Sequence, residues 1–238
     1  MTAPDRPSVV EPIEAVLFDF HATLVDQGDA ATWLALAWEH AGRDGDPVEV
    51  LGAAKVSELT AWADRIWEQA RDVDPDNRRD LDPASHRSVY DALVERAPHV
   101  DLELADAMYA TMLETWIPYD DTIPLLRALA DRGVRTALVS NVGIDVRVVL
   151  DRAGLGDLLD EVVLSFEAGV VKPDTVIFAT ALDRLGVAPE RALMVGDSWR
   201  DDGGAAQLGI RTLLLPRTTG PAHGLELVLR LVVGGAVR

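Results

Sequence analysis

The chain has 238 residues, of which 48% are hydrophobic, so it can bury a sizeable core and does not have the composition of a disordered protein. It contains no cysteine, which excludes a disulfide scaffold, a thiolate zinc site and a cysteine nucleophile. The formal net charge of −18 would repel nucleic acid, so we expect no nucleic-acid partner and expect any phosphate pocket to supply its own positive charge.

The first twelve residues predict a flexible N-terminal tail, 1–12, with no apolar segment of signal-peptide length. No stretch of the chain approaches the roughly 18 apolar residues that a membrane span needs. We therefore expect a cytoplasmic protein with no membrane partner, either a monomer or a homodimer.

Five short apolar runs predict the strands of a parallel sheet. They cover residues 13–19, 134–140, 160–165, 191–197 and 210–216. Stretches with helical spacing lie between the later runs, and several end in glycine, as helices do. This alternation predicts an α/β fold with a Rossmann-like parallel sheet, whose strand carboxyl ends share one ligand-binding edge.

Residues 26–118 interrupt this alternation, because they contain segments of helical spacing and no strand-like run. They predict a helical cap inserted into an α/β core made of residues 13–25 and 119–238. Five of the six tryptophans fall in the cap. We expect them to fill its core, with the alternative that one or two line a substrate pocket. The polar segment 71–85 predicts a loop that ends on Ser85 as a helix N-cap.

Polar residues of reactive type follow four of the predicted strands. They are Asp19, His21 and Thr23 after the first, Ser140 and Asn141 after the second, Lys172 after the third and Asp197 after the fourth. Carboxylates that converge on one edge repel each other unless a cation holds them, and hard oxygen ligands suit Mg²⁺. Lysine and hydroxyl groups complement a tetrahedral anion, which an aspartate could attack. The residues alone predict a metal-assisted anion hydrolase.

The segments FDFHATL, LVSN, VVKPD and VGDSWRDD resemble, in order, the four motifs of the haloacid dehalogenase (HAD) superfamily. The resemblance covers residues 13–25 and about 119–216, and the helical insertion resembles the C1 cap of that superfamily. It implies an enzyme of that fold that hydrolyses a small organic phosphate, with Mg²⁺ as cofactor and Asp19 as covalent nucleophile and metal ligand.

The resemblance also implies roles for the remaining motif residues. Thr23 and Ser140 would contact the transferring group, Lys172 would neutralise charge, and Asp197 would hold the metal. Either Asp201 or Asp202 would assist Asp197, and the sequence does not choose between them. Asn141 would form a hydrogen bond to backbone or substrate.

His21 departs from the family pattern, in which phosphatases carry a second aspartate at this position followed by a glycine, here Ala22. That aspartate is the acid/base and offers the metal its backbone carbonyl, a role that His21 would keep. Three interpretations stay open: His21 is the acid/base, the site cleaves carbon–halogen or carbon–phosphorus bonds, or the protein is a slow or inactive binding protein.

Some cap residues are further candidates. Lys55, one of only two lysines, lies where phosphonatases place a Schiff-base lysine, although a solvated helix residue is the simpler interpretation. We consider His86, Arg87 and Trp33 as candidates for contact with the substrate when the cap closes.

Overall fold

The computed structural model describes residues 11–234. Residues 1–10 and 235–238 lie outside the described part, and so does most of the predicted flexible tail. Within the described ranges, no helix combines the length and apolar character that crossing a membrane requires.

The core of the protein is a five-stranded parallel sheet. Its strands are β1 (Ala15–Phe18), β4 (Arg135–Ser140), β5 (Glu161–Leu164), β6 (Ala192–Gly196) and β7 (Arg211–Leu214). They lie in the order β5-β4-β1-β6-β7. Each strand lies inside one of the five predicted runs, so the predicted α/β class with a Rossmann-like sheet is confirmed. The central strands β1 and β6 are buried along their whole length, as expected for strands covered on both faces.

Helices cover both faces of this sheet, and two separate apolar clusters form against it. One cluster packs on the face that carries Phe18 and Leu138, and the other on the face that carries Leu17 and Val139. The helices are α7 (Thr122–Ala130), α8 (Arg147–Ala153), α9 (Ser165–Ala168), α10 (Thr175–Leu185) and α11 (Glu226–Gly234). The stretch with helical spacing between the fourth and fifth predicted runs forms a 3₁₀ helix, Asp202–Leu208.

The helical segment between β1 and α7 has an apolar cluster of its own, built largely from tryptophan, leucine and alanine side chains. Its helices are α1 (Ala30–His40), α2 (Pro47–Leu51), α3 (Ala53–Ala63), α4 (Ile66–Val73), α5 (Pro83–Val94) and α6 (Leu102–Thr111). A short antiparallel pair, β2 (Val25–Asp26) and β3 (Ile117–Pro118), brings the two ends of the segment together. The sequence did not predict this pair, since two-residue strands leave no period-2 pattern.

Two local expectations for this segment need correction. The 71–85 segment is more ordered than a loop, since α4 runs to Val73 and a 3₁₀ helix forms at Arg78–Asp80. The N-cap of α5 is Asp82, and Ser85 is the residue whose backbone N–H donates to it. Asp82 takes this role because its carboxylate accepts that N–H, and the proline after it occupies the first helical position, where no backbone donor is needed.

The tryptophans divide between the two predicted uses. Trp33, Trp38 and Trp62 are buried in the cluster of the helical segment. Trp67 packs against that cluster and also lines a cavity, and Trp116 lines the same cavity. The core interpretation therefore holds for four of the five, and two of the five line the cavity.

Candidate active site

A cavity of about 420 Å³ opens at the carboxyl ends of β1, β4 and β6, beneath the helical segment. From the sheet side it is lined by Asp19, His21, Ser140, Asn141, Lys172, Asp197, Ser198, Asp201, Asp202 and Arg217. From the helical segment it is lined by Asp64, Trp67, Glu68, Arg71, Asn77, Arg79, Asp80, His86, Met112 and Trp116, among others. The predicted strand-end residues thus meet at one edge of the sheet.

Lys172 is at the centre of the charged residues on the sheet side. Its Nζ donates to Asp19 Oδ1 at 2.6 Å and to Asp202 Oδ1 at 2.7 Å, and its side chain is 2% exposed. Burial alone would lower the pKa of Lys172, but the two carboxylates outweigh it and raise that pKa. The lysine is therefore a cation held between two carboxylates.

Asp19, Asp197 and Asp202 each present a carboxylate oxygen, and these oxygens lie within 4.8 Å of one another. Burial is the largest cause that raises the pKa of Asp19, and the charge of Asp197 raises it further. Burial also raises the pKa of Asp202, with the charge of Asp19 adding to it. Three hard oxygen ligands in this arrangement fit a small divalent cation, which would relieve their mutual repulsion.

The two candidates after Asp197 occupy different places. Asp202 approaches Gly196 so closely that a Cβ added there would lie 2.0 Å from Asp202 Oδ2, which also accepts the Ser198 N–H at 2.9 Å. Asp201 instead accepts the Ser198 hydroxyl at 2.7 Å. The structure brings Asp202, rather than Asp201, to Asp19 and Asp197, while both line the cavity.

The other predicted residues of the sheet edge support this centre in different ways. The Thr23 hydroxyl is fully buried and donates to Asp19 Oδ2 at 3.2 Å, so it contacts the nucleophile candidate. Asn141 pairs with the Lys172 backbone through Nδ2 at 3.0 Å and Oδ1 at 2.7 Å, and so fixes the lysine. Ser140 is buried and lines the cavity.

His21 lines the cavity two residues after Asp19, with its ring 5.0 Å from that of Trp116. Burial lowers its pKa, and the nearby Arg217 cation lowers it further, against the opposing charge of Asp197. The imidazole is therefore mainly neutral at neutral pH. Ala22, where the family pattern has glycine, adopts a left-handed φ of 59° that favours glycine.

Arg217 is a site residue that the sequence analysis missed. Its Nε lies 2.5 Å from Asp197 Oδ2, and its side chain is 63% exposed at the cavity. Arg217 is the first charged residue after β7, so the strand-end argument that found Lys172 and Asp197 could have found it.

The cavity wall formed by the helical segment includes one of the predicted cap candidates. His86 is buried there, with Nδ1 at 3.0 Å from the Tyr109 hydroxyl and its ring 5.0 Å from Trp67. Burial lowers its pKa to about 4, and Arg79 contributes to that shift. His86 is therefore a neutral part of the wall.

Three other candidates lie elsewhere. Arg87 pairs with Asp91 and Asp106 on the exposed side of α5. Trp33 donates from Nε1 to the Met108 carbonyl at 2.8 Å and belongs to the buried cluster. Lys55 is exposed on α3, and none of the three lines the large cavity, which argues against a Schiff base at Lys55.

A parallel α/β sheet with an aspartate, a buried lysine and a carboxylate cluster at its carboxyl edge defines a class of hydrolases that use an aspartate nucleophile. Residues 13–209 match the family model described as haloacid dehalogenase-like hydrolase. The chain therefore belongs to the haloacid dehalogenase-like hydrolase family.

The relatives that the chain matches include proteins named as phosphatases and a protein named as a haloacid dehalogenase. The chain is 34% identical over 141 residues to a glyceraldehyde 3-phosphate phosphatase of Methanopyrus kandleri, covering 56% of this chain and 60% of that protein. It is 29% identical over 217 residues to (S)-2-haloacid dehalogenase 1 of Pseudomonas sp. strain CBS-3, covering 89% and 88%. The matches to the first phosphatase relatives thus span about half the length of those proteins.

The fold is also similar to solved structures. A HAD phosphatase from Thermococcus onnurineus aligns over 94% of this chain and 99% of that one with a TM-score of 0.60 at 23% identity. At that identity the likeness concerns the fold alone.

Proposed function

We propose that this protein is a Mg²⁺-dependent phosphatase that hydrolyses a small organic phosphate ester through an aspartyl-phosphate on Asp19. The observation that carries the proposal is the cluster of Asp19, Asp197 and Asp202 oxygens within 4.8 Å of one another, beside the buried Lys172. A dehalogenation site needs no such cluster of metal-type ligands. The phosphatase-named relatives support the same choice.

Asp19, Asp197 and Asp202 would hold Mg²⁺, with the backbone carbonyl of His21 as a further ligand that the family resemblance implies. Bound there, the cation would neutralise carboxylate charge and polarise the phosphoryl group. Asp201 is held by Ser198 and would act from outside this ligand set.

In the first chemical step an Asp19 carboxylate oxygen attacks phosphorus, and the bond from phosphorus to the leaving oxygen breaks. Lys172 and Ser140 would offset the charge on the transferring phosphoryl group. In the second step water attacks the acyl phosphate, releases inorganic phosphate and regenerates the Asp19 carboxylate.

His21 would replace the usual aspartate as the acid/base. Its lowered pKa leaves the imidazole neutral near pH 7, the form that accepts a proton from the attacking water. The protonated form, which donates to the leaving oxygen, is scarce at that pH. Esters of acidic alcohols should therefore react faster than alkyl esters, because their leaving oxygen departs without a proton.

The helical segment, residues 26–118, would serve as a C1-type cap over this site. Trp67, His86 and Trp116 lie on its side of the cavity, so the cap would supply the contacts to the leaving portion of the substrate and exclude water. We propose a small-molecule substrate accordingly.

The deciding experiment is hydrolysis of an aryl phosphate and a panel of phosphomonoesters with Mg²⁺ or with EDTA, beside Asp19→Asn. Turnover that requires Mg²⁺ and is lost in the folded variant would support the proposal. Full activity of Asp19→Asn would eliminate the mechanism.

A carbon–halogen hydrolase is the second candidate, because the haloacid dehalogenase of Pseudomonas matches nearly the whole chain. In that case Asp19 would attack carbon and displace halide, with no need of a metal. Release of halide from a 2-haloacid in EDTA, with no phosphate ester hydrolysed, would favour it.

A further inference from the structure

The wall of the cavity that the helical segment forms holds a further cation, the half-buried Arg79. Its side chain is 14% exposed, and its Nη1 is buried with no hydrogen-bond partner within residues 11–234. Its Nε lies 3.4 Å from Asp80 Oδ1, and its Cζ lies 5.8 Å from the centre of the Trp67 ring, so neither contact supplies an acceptor to Nη1. A buried guanidinium donor without an acceptor is costly, so its retention at a cavity points to a ligand that supplies one.

The backbone around Arg79 is fixed against the core. Buried Asp74 accepts the backbone N–H groups of Arg78 and Arg79, each at 2.9 Å. The Arg79 carbonyl sits so close to Gly143 that a Cβ there would lie 1.9 Å from it, and the Ser165 hydroxyl donates to the Asp80 carbonyl at 2.5 Å. Arg79 is therefore held in place before any ligand arrives, which lowers the entropic cost of binding.

Within the described residues, one carboxylate contacts the Arg79 side chain. It belongs to Asp80, whose Oδ1 lies 3.4 Å from Nε and whose pKa burial raises to about 6 although the Arg79 cation opposes the rise. His86 is neutral, and the exposed Glu68 lies where water screens its charge. Asn77 Oδ1 is a second buried polar atom without a partner in the described chain, and it lines the same cavity; as an acceptor it fits a substrate hydroxyl rather than the anion.

We propose that Arg79 binds a carboxylate on the leaving portion of the substrate, so that the site takes a small phosphorylated carboxylic acid; the proposal rests on the phosphatase function above. The planar guanidinium matches a carboxylate through two parallel hydrogen bonds. Lys172 and Arg79 lie on different walls of one cavity of about 420 Å³, so one small molecule can reach both. Carboxylates outnumber cations around this cavity, which favours a singly charged group over a second phosphate.

The test compares 3-phosphoglycerate with glycerol 3-phosphate, which differ by a carboxylate in place of a hydroxymethyl group. We expect kcat/KM of the unmodified protein to favour 3-phosphoglycerate by at least about tenfold, the scale of a charge-assisted hydrogen bond. Arg79→Gln should bring this ratio close to one, and Arg79→Lys, which keeps the charge without the planar fork, should give an intermediate ratio. Arg87→Gln is the matched control, since it removes an arginine outside the cavity and should leave the ratio unchanged.

A binding measurement separates this proposal from the phosphatase function itself. Both esters are titrated by calorimetry into Asp19→Asn and into Asp19→Asn/Arg79→Gln, after circular dichroism has verified that each variant is folded. A stronger affinity for 3-phosphoglycerate that disappears with Arg79 supports the subsite even if no ester is hydrolysed. Equal affinities for the two esters, or a preference that survives Arg79→Gln, overturns it, whether or not the protein hydrolyses an aryl phosphate.

Discussion

Lys172 Nζ donates to Asp19 Oδ1 at 2.6 Å although the two residues are 153 positions apart in the chain. The same ammonium also binds Asp202, so one buried cation connects the end of β1, the segment before α10 and the turn after β6. Lys172 therefore provides the positive charge for the proposed chemistry and also stabilises the folded state.

Removal of Lys172 should destabilise the protein strongly. Lys172→Met would leave Asp19 and Asp202 as buried carboxylates without their cation, which typically costs about 3–5 kcal/mol of the free energy of unfolding. Urea unfolding at neutral pH without divalent cations measures the loss, and Mg²⁺ should recover part of it by supplying positive charge. Lys55→Met, at an exposed position, is the control. If Lys172→Met loses no more free energy of unfolding than Lys55→Met, Lys172 does not stabilise the buried carboxylates.

His21→Asp tests whether the histidine does something that aspartate cannot. We expect it to preserve or raise the turnover of alkyl phosphates, because an aspartate at this position restores the acid/base of the family pattern. The rate ratio between an aryl and an alkyl phosphate, measured at neutral pH in both proteins, should fall in the variant. A severe loss of activity towards both esters would show instead that the imidazole is required.

The sheet side of the site was predictable because a single rule governs it. Parallel strands put their carboxyl ends on one edge, so Asp19, Ser140 and Asp197 had to converge once the strands were recognised. The same argument found Lys172 after the third predicted strand, although α9 separates it from the end of β5. The choice of Asp202 over Asp201 needed the structure, because it depends on the close approach of Asp202 to Gly196. That approach depends on a 3₁₀ helix, which the sequence did not distinguish from an α-helix.

The helical side of the site was not predictable in the same way. Arg79 and Asn77 lie in a polar stretch whose composition suggests a loop, and only the contacts of Asp74 and Gly143 turn that stretch towards the core. Such contacts join residues far apart in sequence and leave no periodic pattern. His86 was a candidate because of its chemistry, but its burial against Tyr109 and its lowered pKa come from tertiary packing.

Asp201 and Asp202 should differ in metal affinity. Asp202 shares the carboxylate cluster, whereas Asp201 binds the Ser198 hydroxyl, so Asp202→Asn should weaken Mg²⁺ binding by at least about tenfold. Asp201→Asn should change the affinity by less than about threefold. Calorimetric titration of Mg²⁺ into each folded variant gives the comparison. A larger loss of Mg²⁺ affinity in Asp201→Asn than in Asp202→Asn would instead identify Asp201 as the metal ligand.

His86 should make the stability of the protein fall in acid. Its pKa in the folded state, about 4, is below the unfolded value of 6.5, so the unfolded chain binds more protons between these values. The stability that neutral His86 contributes is therefore present above about pH 6.5 and is lost as the pH falls towards 4. Between about pH 7.5 and about pH 5 this loss amounts to about 2 kcal/mol.

The measurement is urea unfolding of the unmodified protein and of His86→Gln at both pH values. The unmodified protein should lose about 2 kcal/mol more on acidification than the variant, because glutamine does not titrate. Asp80 acts in the opposite direction, since its raised pKa of about 6 makes the folded state bind protons more tightly, but it is present in both proteins and cancels in the difference. His40→Gln, at an exposed histidine, controls for the loss of a histidine as such. If the unmodified protein and His86→Gln lose the same free energy of unfolding on acidification, His86 is accessible to protons in the folded state. This wall of the cavity would then open far more readily than the packing of His86 against Trp67 and Tyr109 implies.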